Sequence, residues 1–264
     1  MSKTEMTNFL QTSGAGFRDP EVSPDGPKTT QPLDPEVAAR NAELVEQYAG
    51  ALYNATAEEI LAWAHEHAPG PLVVTLSMEN TVLAELAERH LPDADFLFLD
   101  TEYHFPETLE VADEVEARYP AHRLVRAKAQ LSRPEQDKTY GPNLYLRAPS
   151  ACCRMRKVEP LAVHMSPYAG WITGLRRADG PTRAEAPALS LDATGRLKIS
   201  PLVTWSLEDT ETFERDNNLI IHPLTRQGYP SIGCATCTMP VAEGEDPRAG
   251  RWAFAAKTEC GLHE

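Results

Sequence analysis

Hydrophobic residues in this chain fall into short continuous runs, separated by longer stretches with helical periodicity. The apolar runs predict buried β-strands at 72–76, 96–100, 122–127 and 170–174. Helical spacing of apolar positions predicts helices at 81–90 and 106–119. Strands that alternate with helices are typical of a parallel sheet covered on both faces, so the pattern predicts the α/β class.

Start signals predict three further helices. Asp34 can cap a helix whose first residue is Pro35 and which runs to about Gln47. Thr56 and Glu59 have the spacing of a capping box, in which each side chain bonds the backbone N–H of the other residue. Ser206 with Asp209 repeats this pattern at the start of a helix that we expect to end near Asn217. The chain from Asn218 onward is rich in Gly and Pro and predicts loops.

The length of 264 residues and a hydrophobic content of 42% suit one α/β domain with terminal appendages. We expect a disordered or draped N-terminal arm at 1–33, where Ser, Thr, Gly and Pro are frequent, the α/β domain at 34–240, and a mobile tail at 241–264. The first residues lack the apolar core of a secretory signal, and the longest apolar runs are too short to span a membrane. These features predict a cytoplasmic protein.

Charge is unevenly distributed along the chain. The formal net charge of −14 argues against a nucleic-acid partner. Residues 35–120 contain 18 Asp and Glu but only Arg40, Arg89 and Arg118 as basic residues. Residues 147–183 reverse this balance, with seven Arg and Lys against Glu159 and Asp179. This basic island indicates either a compact anionic ligand or ordinary surface scatter.

Four of the five cysteines have the composition of an all-sulfur ligand set: Cys152, Cys153, Cys234 and Cys237. Soft thiolates suit zinc or an iron–sulfur cluster, whereas two disulfides would require an oxidising compartment. Zinc sites usually use pairs of cysteines with two to four residues between them. An adjacent pair requires a distorted helix, or a ligand larger than one ion, because neighbouring residues do not share a helix face. The pattern favours a cluster over zinc. Cys260 has no nearby thiol partner in the sequence.

Polar residues follow the predicted strands where parallel sheets bind ligands. Ser77 and Asn80 lie at the first strand-to-helix turn, which has no Walker-type glycines. Asp100 follows the second strand and fits either a ribose contact or an ordinary turn residue. Guanidinium groups suited to phosphate or sulfate follow later in the chain. They belong to Arg176, Arg177, Arg183, Arg248 and Arg251.

These motifs together resemble those of one enzyme family. The matching segments are CCRMRKV at 152–158, GLRR at 174–177, GYPSIGCATC at 228–237 and KTECGLH at 257–263. They are similar to assimilatory adenylyl-sulfate reductases, the iron–sulfur branch of the adenylyl-sulfate and phosphoadenylyl-sulfate reductase family. The resemblance extends from about residue 71 to the C-terminus. It departs at 75–80, which read TLSMEN where many relatives have a Ser-Phe-Gly type of turn.

The resemblance implies an adenine-nucleotide α-hydrolase-like, PP-loop type α/β fold. It implies an oxidoreductase of sulfate assimilation and cysteine biosynthesis that reduces adenosine 5′-phosphosulfate to sulfite and AMP with thioredoxin. A [4Fe-4S] cluster would be held by Cys152, Cys153, Cys234 and Cys237. Cys260 would be the nucleophile, forming an S-sulfocysteine. Substrate would contact Lys157, Arg183, Arg248 and Arg251. The resemblance also implies a homodimer or a homotetramer.

Two other functions remain open from the sequence. The first is reduction of the 3′-phosphorylated nucleotide, although reductases for that substrate generally lack the four cluster cysteines. The second is a non-catalytic iron–sulfur or zinc protein that senses a nucleotide and has no need of Cys260.

Overall fold

The computed structural model describes residues 32–242 and 244–255, so Cys260, most of the N-terminal arm and the end of the predicted tail lie outside the described residues. The first two helices are α1 (Pro35–Leu52) and α2 (Ala57–His67). The Asp34 side chain accepts hydrogen bonds from the N–H groups of Glu36 and Val37, at 2.8 and 3.3 Å. Both bonds of the Thr56–Glu59 capping box are present. The helix starts that the sequence predicts here are confirmed.

Strands and helices then alternate. The strands are β1 (Leu72–Leu76), β2 (Asp95–Asp100), β3 (Leu124–Lys128), β4 (Gly170–Ile172), β5 (Leu189–Leu191) and β6 (Leu197–Ile199). The intervening helices are α3 (Val82–His90), α4 (Pro106–Arg118), α5 (Arg133–Tyr140), α6 (Leu144–Arg147), α7 (Pro149–Cys153) and α8 (Glu159–His164), and α9 (Leu207–Asp216) follows β6. A π-helical turn, Arg154–Val158, joins α7 to α8, and 3₁₀ turns follow at Arg177–Asp179, Pro181–Arg183, Pro223–Gln227 and Ala235–Cys237.

The six strands form one sheet in the order β3-β2-β1-β4-β6-β5, and all neighbours are parallel except β5 and β6. The chain moves from β1 to β2 and β3 on one side and to β4 and β6 on the other. The order therefore reverses next to β1, which is where an open parallel sheet forms a crevice at its carboxyl edge. The predicted α/β class is confirmed.

Both faces of the sheet are buried. Val74 and Leu76 of β1 join a large core with residues of helices α1 to α4, whereas Val73 faces a smaller cluster with Leu97 and Trp171. Alternate residues of one strand thus contact opposite layers, as the pleat requires. A third, separate cluster contains the four cysteines. None of the described helices has the length and apolar character needed to cross a membrane.

Gly170 of β4 lies where two strands crowd it. A Cβ there would come 2.7 Å from Leu197 Cβ and 3.0 Å from the Leu197 carbonyl oxygen. We expect Gly170→Ala to lower the free energy of unfolding by about 1–3 kcal/mol because a fixed neighbouring strand must move. Gly50→Ala in α1 is the control, since nothing lies within 4 Å of its added Cβ, and it should stabilise by about 0.5–1 kcal/mol. Urea unfolding measures both, and equal effects would contradict this account.

The buried carboxyl of Glu214, in α9, should make the stability of the protein depend on pH. Burial, with the neighbouring charges of Glu211 and Glu79, raises the pKa of this carboxyl to about 6 from 4.5. The folded protein then holds a proton that the unfolded chain releases, so the free energy of unfolding falls as the pH rises from 4.5 through about 6. Glu214→Gln should remove this loss. Its stability relative to the parent should be greater near neutral pH than near pH 4.5, and an unchanged difference across the range would contradict the assignment.

Candidate functional site

A cavity of about 330 Å³ opens at the carboxyl edge of the sheet, and we call it the strand-end cavity. Its apolar wall comes from β2, with Leu97, Phe98 and Leu99. Polar groups enter from the end of β1 and the turn after it, and from the segment after β4. These residues are Thr75, Ser77, Glu79, Asn80, Thr173, Gly174 and Arg176. The size of this cavity and its mixed polar and apolar lining match a site for a small organic ligand. Such a ligand binds by burial of its apolar surface and is oriented by a few polar groups.

The structure brings six of the predicted substrate contacts to this cavity. They are Ser77, Lys157, Arg176, Arg183, Arg248 and Arg251. Arg177 lies elsewhere: its guanidinium donates to the carbonyls of Tyr53 and Ala186 and stacks over the Tyr53 ring at 3.8 Å. The arginine therefore ties the loop after β4 to the end of α1. Its neighbour in sequence points into the cavity because successive residues of extended backbone face opposite sides.

Asp179 partly neutralises two of the cavity arginines. Its carboxylate accepts from Arg176 Nε at 2.9 Å and from Arg183 Nη1 at 3.1 Å, and Arg176 also donates to Thr210 Oγ1 at 2.7 Å. These bonds hold the two guanidinium groups in place at the rim. The basic island thus serves partly as internal structure, since Arg154 pairs with Glu159 at 3.1 Å in the same way.

Arg251 is differently placed. Its Nη1 donates to Ser231 Oγ and to the Ile232 carbonyl, both at 3.2 Å, and its guanidinium lies 4.7 Å from the Trp252 ring centroid. Nε is buried without a hydrogen-bond partner among the described residues. The guanidinium passes over Gly233, where a Cβ would come within 2.6 Å of its Cζ atom. A larger residue at position 233 would therefore push this guanidinium away from its present place on the cavity wall.

Glu79 connects the turn after β1 with the segment that precedes Cys234. Its Oε2 accepts from the Ile232 N–H at 3.0 Å, and its carbonyl accepts from the His222 N–H at 3.0 Å. Burial raises the pKa of Glu79, opposed by the Ile232 N–H and by the positive charges of Arg251 and Arg176. Sequence patterns alone do not indicate a role for Glu79. The sequence shows only that Glu79 lies in a strand-to-helix turn. Carboxylates are also common in solvent-exposed turns, so this position does not distinguish a functional residue.

Asp100 does not line the cavity. Its Oδ1 accepts from the Glu102 N–H at 3.0 Å, and its Oδ2 lies 3.4 Å from Lys128 Nζ. Of the two roles open from the sequence, these contacts match that of a turn residue. His104, from the same loop, does line the cavity, and burial lowers its pKa, which favours the neutral ring.

The four cysteines line one small pocket beside the cavity, which we call the cysteine pocket. Cys152 and Cys153 end helix α7, and the π-helical turn follows at once, so the distorted helix expected of an adjacent pair is present. Cys234 precedes the 3₁₀ turn Ala235–Cys237. All four side chains are buried and none forms a disulfide. Two segments with 80 residues between Cys153 and Cys234 thus line one pocket with their cysteines.

Hydrogen bonds from the loop after β2 hold the second cysteine segment. The Ala235 N–H donates to the Tyr103 carbonyl at 2.7 Å, and Thr101 Oγ1 lies 3.3 Å from Cys234 Sγ. On the other side, the Trp252 N–H donates to the Cys237 carbonyl at 2.9 Å. These contacts set the position of the Cys234 and Cys237 side chains through neighbouring backbone.

Electrostatics disfavour four ionised thiols in this pocket without a cation. Burial raises the pKa of Cys152, and the nearby sulfurs of Cys153, Cys234 and Cys237 raise it further. Burial and the other sulfurs likewise raise the pKa of Cys237 to about 12. Within the described ranges, no three His, Cys, Asp or Glu side chains are arranged to hold a single metal ion. Four soft, reduced donors that share one pocket nevertheless have the chemistry of a thiolate ligand set for iron and sulfide.

The strand-end cavity and the cysteine pocket are neighbours. Lys157, Arg251 and Trp252 line both. Lys157 belongs to the π-helical turn, four residues after Cys153, and Trp252 is almost completely buried between the two sites. An anionic group bound by Lys157 and Arg251 would therefore lie next to the cysteines.

Known proteins resemble this chain in sequence and in fold. Residues 71–240 match the phosphoadenosine phosphosulfate reductase domain. An adenosine 5′-phosphosulfate reductase from Mycolicibacterium smegmatis is 48% identical over 84% of this chain and 94% of its own length. One from Streptomyces coelicolor is 48% identical over 83% and 93%. A solved phosphoadenylyl-sulfate reductase from Candida auris, in a phosphate complex, superposes with a TM-score of 0.60 and 25% identity, covering 80% of this chain and 100% of that one. The chain belongs to the phosphoadenosine phosphosulfate reductase family.

Proposed function

We propose that this protein reduces adenosine 5′-phosphosulfate to sulfite and AMP in assimilatory sulfate reduction, in the cytoplasm. The observation that carries the proposal is the shared wall of Lys157, Arg251 and Trp252 between the strand-end cavity and the cysteine pocket. Relatives that carry this name and are 48% identical over most of the chain support the substrate. Four buried cysteines without a disulfide support a reducing compartment.

The cavity suggests how the nucleotide is oriented. The adenosine would lie against the apolar wall of β2 and the turn after β1, where Ser77 and backbone N–H groups offer donors. The phosphosulfate would lie at the other end, near Lys157, Arg248 and Arg251. Because Arg176 and Arg183 are held by Asp179, they would add positive charge at the rim with little movement on binding.

The four thiols fit a [4Fe-4S] cluster as the resident cofactor. Cys152, Cys153, Cys234 and Cys237 would hold it, each as a thiolate. When bound, the cluster supplies a tie between the two cysteine segments and a local electric field, and no electron transfer through it is needed for the reaction. Lys157 would then lie between the cofactor and the substrate, where its charge can act on both.

The first chemical step transfers the sulfo group from the nucleotide to the protein and needs no redox partner. The thiolate of Cys260, which lies outside the described residues, attacks the sulfate sulfur, the bond from sulfur to the phosphate oxygen breaks, and AMP leaves with that electron pair. An S-sulfocysteine remains on the protein. Lys157, Arg248 and Arg251 would stabilise the negative charge that develops on the departing phosphate.

Release of sulfite requires two electrons, which a dithiol supplies. One thiol of thioredoxin attacks the sulfur of Cys260, sulfite departs, and a mixed disulfide forms. The second thiol then displaces Cys260 and leaves oxidised thioredoxin. The enzyme would act as a homo-oligomer, as the family resemblance implies.

Cys260→Ser tests the nucleophile. The variant should keep bound iron and nucleotide affinity but release no sulfite, because serine is a far poorer nucleophile than a thiolate near neutral pH. Anaerobic wild-type protein mixed with substrate, without thioredoxin, should gain one sulfo group of about 80 Da on the peptide that contains Cys260, with release of roughly one AMP per site. A sulfo group on another peptide, or turnover by the variant at the wild-type rate, would contradict the mechanism.

Cys234→Ser is the matched comparison, because it removes a proposed cluster ligand and leaves the nucleophile. It should lose iron and sulfide and become sensitive to protease, since metal-site energy is folding energy in such sites. Colourless wild-type protein with stoichiometric zinc would reject the cluster. Turnover of the 3′-phosphorylated nucleotide in preference to adenosine 5′-phosphosulfate would reject the substrate.

Gly233→Ala tests the role of Arg251. The added methyl would displace the guanidinium from the cavity wall, so affinity for adenosine 5′-phosphosulfate should fall about 10- to 100-fold, the value of one charged hydrogen-bond partner. Affinity for adenosine, which has no anionic group, should be unchanged. Calorimetric titration in the Cys260→Ser background measures both without turnover, and equal losses for the two ligands would show that the cavity as a whole has been disturbed.

A further inference from the structure

His104 lies in the wall of the strand-end cavity, and the reaction proposed above gives it no role. It belongs to the loop between β2 and α4, and its ring packs against the Phe98 ring with the centroids 4.8 Å apart. Phe98 is part of the apolar wall that β2 contributes to the cavity. The imidazole therefore adds two polar nitrogen atoms to an apolar surface, and the partners of these atoms indicate what the ring does there.

One ring nitrogen has its partner inside the protein. Nε2 lies 2.8 Å from the Leu99 carbonyl oxygen and 3.2 Å from the Thr101 backbone nitrogen. A carbonyl oxygen only accepts, and a lone pair on Nε2 would repel it at the shorter of these two distances. We therefore assign the hydrogen to Nε2, which donates to the Leu99 carbonyl. This bond sets both the tautomer and the orientation of the ring.

The other ring nitrogen, Nδ1, is buried and has no hydrogen-bond partner among the described residues. With the hydrogen on Nε2, Nδ1 presents a lone pair and can only accept a hydrogen bond. Burial lowers the pKa of His104, and the positive charge of Lys157 lowers it further, so the ring stays neutral near neutral pH. Buried polar atoms are satisfied in the great majority of native proteins. An acceptor of this kind in a cavity wall points to a donor on the ligand.

The chemistry of the proposed substrate restricts what that donor can be. Near neutral pH the phosphosulfate offers only oxygen acceptors, which a lone pair on Nδ1 would repel. The hydrogen-bond donors of adenosine 5′-phosphosulfate are the exocyclic amine of the base and the two hydroxyls of the ribose. Nδ1 therefore suits the nucleoside half of the substrate and not its anionic end.

The position of His104 within the cavity favours the ribose over the base. On one side its ring contacts Phe98, which belongs to the wall against which we propose that the adenosine lies. On the other side it is close enough to Lys157 for the ammonium charge to lower its pKa. Lys157 is a proposed contact of the phosphosulfate. The ribose is the part of a nucleotide that joins the base to the phosphate.

We infer that His104 is a specificity-determining residue whose Nδ1 accepts a hydrogen bond from a ribose hydroxyl of the nucleotide. The inference rests on the proposed function and adds to it a requirement for the sugar of the substrate. The Leu99 carbonyl has a positioning role, because its bond to Nε2 leaves Nδ1 as the acceptor. A nucleotide without that hydroxyl would leave Nδ1 buried without a donor, which costs affinity.

Two variants of the purified holoenzyme test this with AMP, the proposed product, which carries the whole nucleoside and undergoes no reaction by itself. His104→Gln removes the Nδ1 acceptor but keeps an amide N–H that can donate to the Leu99 carbonyl. His104→Phe keeps a flat ring against Phe98 and removes both nitrogens. Calorimetric titration measures the affinity of each protein for AMP, 2′-deoxy-AMP, 3′-deoxy-AMP and inosine 5′-monophosphate, in which an oxygen replaces the exocyclic amine.

Both variants should bind AMP about 3- to 10-fold more weakly than wild type, the value of one neutral hydrogen bond. At least one of the two deoxynucleotides should bind His104→Gln and wild type equally, because the donor is already missing from the ligand. Inosine 5′-monophosphate should show the same loss as AMP. If His104→Phe does not fold, the comparison of His104→Gln with wild type decides.

An affinity for AMP that neither substitution changes would overturn the inference. Equal losses for all four nucleotides would also overturn it, because they would reduce His104 to a structural part of the cavity wall. A loss that disappears only with inosine 5′-monophosphate would place the contact at the base and overturn the assignment to the ribose. Wild-type protein that binds none of the four nucleotides would instead overturn the proposed function.

Discussion

Burial of four thiols in one pocket imposes the main constraint on this molecule. Ionised sulfurs repel one another, and burial raises the pKa of Cys152 and Cys237. The positive charge of Arg156 opposes this effect at Cys152, and that of Lys157 opposes it at Cys237. The π-helical turn after Cys153 presents two adjacent sulfurs to one pocket, which a regular helix does not do.

The junction between the sheet and the cysteine pocket is the second feature on which the site depends. Parallel strands bring their carboxyl ends to one edge, so the turns after β1, β2 and β4 border the same cavity. The loop after β2 then continues to Thr101 and Tyr103, which bond the Cys234 segment. One loop thereby connects the cavity to the cysteine pocket. Small displacements of this loop would therefore alter both the strand-end cavity and the cysteine pocket.

Charge is used selectively rather than uniformly. Asp179 holds Arg176 and Arg183, Glu102 holds Arg156, and Arg177 ties the segment after β4 to the end of helix α1. Arg251 instead donates to neutral oxygen atoms and lies over the Trp252 ring, with the Glu79 carboxyl as a nearby opposite charge. The arginines of the basic island are thus used largely in internal ion pairs and packing contacts, whereas Arg251, which lies outside the island, lines the cavity and bonds neutral groups. Spacing in the sequence does not distinguish these two uses, because the acidic partners come from other elements.

The sequence by itself determined the local features. Capping residues at Asp34, Thr56 and Ser206 begin helices as expected, and the apolar runs at 72–76 and 96–100 form the central strands, because these signals depend on neighbours within a few residues. It did not reveal β5 and β6, whose three-residue strands are too short for a periodic pattern, or the short helices around Cys152. The tertiary structure alone decided which arginines face the cavity, that Asp100 is a turn residue, and that Glu79 and Glu102 reach across to other segments. Those outcomes depend on distances between residues far apart in the chain, and burial and pairing, rather than residue type, set them.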